Sequence, residues 1–228
     1  MIVKRIAGVL LLTALTHLQA AAGEPVALTI DVASTFPNTM PVLGDVSRHL
    51  PQKVLVASGG ELNIRFHEPG ALVPAAEVVK AVAQGKVAAA WAGAGWLANE
   101  DSAFNMFSSV PFGPHIGEYL AWLYRGGGLE LAREMFHARG IHNIPCGIIP
   151  PEASGWFRKQ ITKLEDLKGL NMRFFGLGAK VMQKHGVTTH QLPPGDILPA
   201  LEGGKIDAAE FSLPAMDQPL GLQKVARY

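Results

Sequence analysis

Apolar residues recur at every second position over Val26, Leu28, Ile30 and Val32, with Thr29 and Asp31 between them. This alternation predicts a first strand that ends in Ser34-Thr35-Phe36-Pro37. A polar, helix-like segment from Pro41 to Ala57 follows, and the strand pattern returns at Leu62, Ile64 and Phe66. Between Pro74, at a first helical turn, and Gly85, the residues Ala75, Val78, Val79 and Val82 share one helical face. The order β-α-β-α-β favours a parallel sheet covered by helices. Glu118 to Tyr124 and Leu129 to Ala138 then read as helices interrupted by Gly126-Gly127-Gly128. That triplet lacks the spacing and the following lysine-threonine of a phosphate loop, so it reads as a helix break. The apolar segment Ile141 to Ile149 leads to Pro150-Pro151, where a first lobe is expected to end. Beyond it come Gly155 to Arg158, a polar turn from Thr162 to Lys168, a strand from Leu170 to Phe175, and a helix from Gly176 to His185.

One unit of this pattern occurs twice. The helical run Ala75 to Gln84 ends at Gly85-Lys86 and passes into Val87-Ala88-Ala89-Ala90-Trp91. The run Ile197 to Glu202 ends at Gly203-Gly204-Lys205 and passes into Ile206 through Phe211. Two helix–Gly–strand units of one design predict two similar α/β lobes, each strand's carboxyl end facing a crevice where open sheets hold ligands. Trp91 occupies that end in the first copy and Glu210 in the second.

The amino terminus has a different character. Met1 to Arg5 is a short basic start, Ile6 to Leu15 is apolar but too short to span a bilayer, and Ala20-Ala21-Ala22 offers small residues for cleavage before Gly23. Residues 1–22 therefore read as a secretory signal, which predicts an exported, periplasmic protein. Losing Lys4 and Arg5 from the 20 basic residues leaves 18 against 19 acidic ones. Nothing in this near-neutral balance suggests nucleic acid, which would require a basic face. A single cysteine, Cys146, excludes an internal disulfide, so stability must come from the core. With 48% hydrophobic residues the chain can build one. Cys146 itself, in the run Ile144-Pro145-Cys146-Gly147-Ile148, is expected to pack as a small hydrophobe.

Sequence features for catalysis are sparse. His185 and His190, like His137 and His142, are five apart, which is not the spacing of a helical two-histidine zinc site, and no Gly-x-Ser-x-Gly elbow is present. An exported two-lobed lyase or hydrolase acting on a small carboxylate, with Glu210 as base, stands as the alternative to a non-enzymatic binding protein.

Several segments together carry a family resemblance. Gly59-Gly60-Glu61, Leu72-Val73-Pro74, Gln84-Gly85-Lys86-Val87, Val110-Pro111-Phe112, Trp156-Phe157-Arg158, Asp166 to Arg173 and Gly195 to Leu201 stand in the order and spacing of the extracytoplasmic solute receptors of TRAP transporters, the DctP family. The block from Gly169 to Phe211 resembles the branch that binds small 2-oxo or 2-hydroxy monocarboxylates through a cation. The resemblance implies a two-lobed α/β periplasmic binding protein of mixed sheets flanked by helices, with lobe I over residues 23–150 and lobe II over residues 151–228. It also implies a receptor that closes on pyruvate, a related 2-oxo acid or lactate and delivers it to a membrane permease.

Residue by residue, the resemblance implies the following. Arg173, a guanidinium set between Met172 and Phe174, matches the arginine that grips the ligand carboxylate through two parallel hydrogen bonds. Glu210 and the backbone carbonyl of Phe211 match the cation ligands, and an acid after Ala208-Ala209 is costly to bury without a cation or an arginine. Glu152 stands where the branch places a glutamine. It reads either as a cation ligand, better suited to calcium than to sodium, or as an exposed hinge residue. Trp96 matches an aromatic near the ligand and Phe36 the opposite wall, although either also reads as core, and Phe211 replaces a common tryptophan. Family members continue past the position of Tyr228 with strands that complete both lobes and with helices through which some form homodimers. Lobe II is therefore expected to be incomplete here, with the family's C-terminal segment absent.

Overall fold

The computed structural model describes residues 28–228, so the expected signal over residues 1–22 lies outside the described residues. Strand β1 (Leu28–Ser34), helix α1 (Leu43–Ala57) and strand β2 (Leu62–His67) follow the predicted alternation. A 3₁₀ turn over Ala75–Glu77 then leads into α2 (Val78–Ala83) and β3 (Ala89–Trp91). These strands form one parallel sheet in the order β2-β1-β3, with β1 central and Val32 opposite Ala89. Next come α3 (Ile116–Arg125) and α4 (Gly128–His137), parted at Gly127, whose φ of 86° is open to glycine at little cost.

The second sheet is built from β4 (Trp156–Phe157), β5 (Asn171–Arg173), β6 (Thr188–His190) and β7 (Ala208–Ala209), in the order β4-β7-β5-β6. β5 runs parallel to both β6 and β7, whereas β4 is antiparallel to β7, so this sheet is mixed. Helices α5 (Gly176–Lys184), α6 (Pro194–Glu202) and α7 (Pro214–Leu220) accompany it.

The repeated unit seen in the sequence recurs in the backbone. Gly85 and Gly204 both have φ 67°. Gly85 donates to Val82 and Lys86 to Ala81, and Gly204 donates to Leu201 and Lys205 to Ala200. Each helix thus ends in the same left-handed turn before its strand, a conformation that favours glycine over residues with a Cβ.

Three apolar clusters hold the fold. Val78, Val79, Leu97, Phe104, Phe136 and Ile141 pack around Ala33. Leu167, Met172, Val187 and Ala208 form a small cluster at the second sheet. Ile197, Leu201, Ile206, Phe211, Met216 and Leu222 form the third, joined by Met40 and Leu43 from the chain that follows β1. That last cluster couples the two sheets through apolar contact.

The structure departs from the sequence reading in places. The strand expected over Leu170–Phe175 pairs only over Asn171–Arg173, and the one expected over Ile206–Phe211 only over Ala208–Ala209. β6 and α7 were not foreseen. Cys146 is exposed rather than packed, because residues 142–148 join neither sheet and form irregular chain.

Candidate functional site

The carboxyl ends of the strands supply the side chains of one small cavity. After β1, the Ser34 hydroxyl accepts a 3.0 Å hydrogen bond from the Phe36 amide, fixing the turn that presents Phe36. After β3, the chain passes Gly93 into a 3₁₀ turn, Ala94–Leu97, that carries Trp96. Trp96 meets the Phe175 ring edge-on, with centroids 5.5 Å apart. Gly95 makes this approach possible, since a Cβ there would press into the Phe175 ring and lie 2.6 Å from the Ser108 hydroxyl. β5 ends at Arg173 and β7 gives way to Glu210-Phe211-Ser212, while Glu152 comes from the segment joining the sheets.

The cavity lined by Phe36, Trp96, Glu152, Arg173, Glu210 and Phe211 measures about 100 Å³. All six residues singled out from the sequence therefore line one space. Its volume is well below the several hundred Å³ of a drug-sized pocket, so the space suits a small molecule. Ser108, Ser109, Ser212, Ile149 and Phe175 also line it and were not anticipated. Trp91, the twin of Glu210 in the repeat, does not line it; its indole instead donates to the Leu43 carbonyl at 3.1 Å. A roomier hollow of about 290 Å³ between α3 and residues 145–148 carries no charged side chain.

Arg173 is 3% exposed and tightly held. Its Nε donates to the Leu192 carbonyl at 3.1 Å, and its Nη1 donates to Glu210 Oε2 at 2.9 Å and to the Glu210 carbonyl. The Phe211 and Phe175 rings lie 5.3 and 5.7 Å from the guanidinium carbon, within reach of cation–π attraction. Burial pulls the arginine below its usual pKa, opposed by Glu210, Glu152 and Asp217. The Nη2 group makes no hydrogen bond among the described residues, which leaves a donor for a bound molecule.

The acids are as constrained as the arginine. Burial raises the Glu210 carboxyl to about 7, with Arg173 opposing the rise and Glu152 and Asp217 adding to it. Burial also raises Glu152, whose Oε2 accepts a 3.4 Å hydrogen bond from the Ser109 hydroxyl. Half-buried Glu152 and buried Glu210 interact, and two coupled carboxyls titrate as a pair. The folded protein thus binds a proton that the unfolded chain releases near the ordinary value of 4.5. Stability of the empty protein should therefore fall as pH rises from about 4.5 to about 7 and level off above. Denaturant midpoints across that window are expected to show this slope, and Glu210→Gln to remove most of it.

The strand ends of two sheets wall a small cavity in which a buried arginine faces two acids, and the fold is that of the TRAP periplasmic solute-binding proteins. Residues 32–228 match the bacterial extracellular solute-binding proteins, family 7 (DctP), and the chain belongs to this family. It is 38% identical over 177 residues to a monocarboxylate 2-oxoacid-binding periplasmic protein of Nostoc sp. strain PCC 7120, covering 78% of this chain and 49% of that one. A TRAP transporter solute-binding protein from Bordetella bronchiseptica, a dimer with calcium and picolinate in its active site, superposes with a TM-score of 0.82 at 35% identity, over 88% of this chain and 60% of the other. A TRAP periplasmic solute-binding protein from Pseudoalteromonas atlantica, with bound sodium and pyruvate, gives a TM-score of 0.83 at 33% identity, over 88% and 61%. The chain spans about half the length of the curated relative and about three fifths of these solved structures.

Proposed function

We propose that this chain is the ligand-capturing part of the periplasmic receptor of a TRAP transporter, holding a small monocarboxylate such as pyruvate, another 2-oxo acid or lactate together with a cation. The observation that carries the reading is the single cavity in which the Arg173 guanidinium stands beside paired carboxylates of Glu152 and Glu210. In this reading Arg173 Nη2 meets the ligand carboxylate, and Phe36, Trp96 and Phe211 form apolar walls that exclude water. Lobe I over residues 23–150 and lobe II over residues 151–228 close on the ligand, which then passes to the membrane permease.

The donors fit a hard cation. Oxygen atoms alone are on offer: the Glu152 and Glu210 carboxylates, the Ser109 hydroxyl, and the Phe211 carbonyl, which accepts no backbone hydrogen bond among the described residues. No three acidic, histidine or cysteine side chains among the described residues form a ligand set by themselves. Carbonyl oxygen and the ligand's own oxygens therefore complete the coordination. When bound, the cation supplies positive charge that lets both glutamates ionise beside an anionic ligand. The bound calcium and sodium of the Bordetella and Pseudoalteromonas proteins, and the monocarboxylate 2-oxoacid class of the Nostoc relative, support this reading. The family is one of solute receptors, which favours reversible capture over turnover.

A thermal-shift screen of pyruvate, other 2-oxo acids and lactate, each with calcium, sodium or chelator, tests the proposal. A true ligand at about 100 times its Kd adds about 2.7 kcal/mol of stability, so it should stand out. Pyruvate is expected to raise Tm only with a cation and to be recovered unchanged. No shift with any of these acids, or conversion of the acid, would overturn the proposal.

A further inference from the structure

We infer that Asn99 and Gln191 are positioning residues whose hydrogen bond clasps the two walls of the cavity together and slows the escape of a bound monocarboxylate; the inference rests on the receptor reading above. The walls come from two parts of the chain. Phe36, Trp96 and Ser109 precede residue 150, whereas Arg173, Phe175 and Glu210 follow it. A ligand gripped by both walls leaves when they part. Among the described residues, two side-chain hydrogen bonds join these two parts, and no backbone hydrogen bond does. One is the 3.4 Å bond from the Ser109 hydroxyl to Glu152, at the cavity itself. The other is Asn99 Nδ2 donating to Gln191 Oε1 at 3.0 Å, and neither of these residues lines the cavity.

The clasp sits where it bears on both walls. Asn99 lies two residues beyond the Ala94–Leu97 turn that carries Trp96. Gln191 directly follows β6 and precedes Leu192, whose carbonyl accepts the 3.1 Å hydrogen bond from Arg173 Nε. The bond therefore ties the Trp96 turn to the backbone that orients the guanidinium. Glycine on each side gives the clearance this requires. A Cβ at Gly95 would press into the Phe175 ring, and one at Gly176 would lie 3.2 Å from Asn105 Oδ1. A hydrogen bond made only when the walls are together favours the closed form and adds nothing to the open one. Its effect on affinity then falls on dissociation rather than on association.

The test follows pyruvate association and dissociation in the presence of calcium by stopped-flow tryptophan fluorescence, since Trp96 lines the cavity. Asn99→Ala and Gln191→Ala should each speed dissociation about two- to tenfold, the effect of one modest hydrogen bond, and leave association nearly unchanged. The double alanine variant should lose no more than either single one, because both remove the same bond. Asn99 is exposed and Gln191 half-buried, so the Tm of the empty protein should hardly move. Asn99→Gln and Gln191→Asn each misplace one amide, and combining them restores the summed length and should recover slow dissociation. Unchanged dissociation in both alanine variants, or additive losses in the double one, overturns the inference. So does a loss of affinity that tracks a lowered Tm and is not recovered by the exchanged pair. If an alanine variant does not fold, the exchanged pair decides alone, and failure to recover slow dissociation overturns the clasp. Wild-type protein that binds no pyruvate overturns the receptor reading as well.

Discussion

Arg173→Ala should abolish most pyruvate binding, weakening it by about 2–5 kcal/mol, or roughly thirty- to several-thousand-fold. The guanidinium is buried and already oriented by the Leu192 carbonyl and by Glu210, so a ligand carboxylate would meet a donor that needs no further ordering. Truncation leaves that carboxylate desolvated and without a counter-charge. It also strips Glu210 of its only salt-bridge partner among the described residues. Arg173→Lys keeps a charge but cannot span the Leu192 carbonyl, Glu210 and the ligand at once, so a large part of the affinity should go with it. Calorimetry on folded variants decides the matter. Unchanged affinity in both would remove Arg173 from the ligand contact.

Withdrawing the cation should have the second largest effect. Exhaustive dialysis against chelator is expected to weaken pyruvate binding by one to two orders of magnitude or more, about 1.4 kcal/mol for each. Without a cation, the ligand's negative charge enters a space that already holds the half-buried Glu152 and the buried Glu210, both carboxyls raised by desolvation. Glu210→Gln should weaken cation-dependent binding more than Glu152→Gln. Glu210 is 4% exposed, touches Arg173, and immediately precedes Phe211, whose carbonyl accepts no backbone hydrogen bond among the described residues. Full affinity in metal-free protein would end this account.

Much of the fold was legible because its apolar runs are punctuated by glycine. The alternation from Val26 to Trp91 gave the first sheet, and the Gly85 and Gly204 turns mark real helix ends with matching backbone geometry. β6 was invisible for a physical reason. Thr188-Thr189-His190 has no apolar alternation and is held by backbone pairing to β5. Helix α7 is only seven residues long and carries Pro219 inside it, which argues against a helix on local grounds even though Pro214 suits its first turn. The packing of Cys146 was misjudged because an apolar run looks the same whether it enters a sheet or crosses the surface.

The candidate site divides along similar lines. Glu210 could be seen because its charge follows an apolar stretch at the end of a repeated strand, whereas Arg173, between Met172 and Phe174, drew its ligand role from the family resemblance. Glu152, Trp96 and Phe36 needed the family resemblance, since nothing in their neighbours sets them apart. Ser108, Ser109 and Ser212 left no signal, because a serine acquires significance only when tertiary packing turns its hydroxyl inward.

The apolar cluster that takes Met40 and Leu43 into the company of Ile197, Leu201 and Met216 bears on cooperativity. The second sheet does not keep this core to itself, because residues from the turn after β1 help to fill it. Loss of the first sheet would therefore expose apolar surface on α6 and α7, so the two halves should melt together rather than in sequence. Slow amide exchange in α6 then becomes a report on the integrity of a strand more than 160 residues away in the chain.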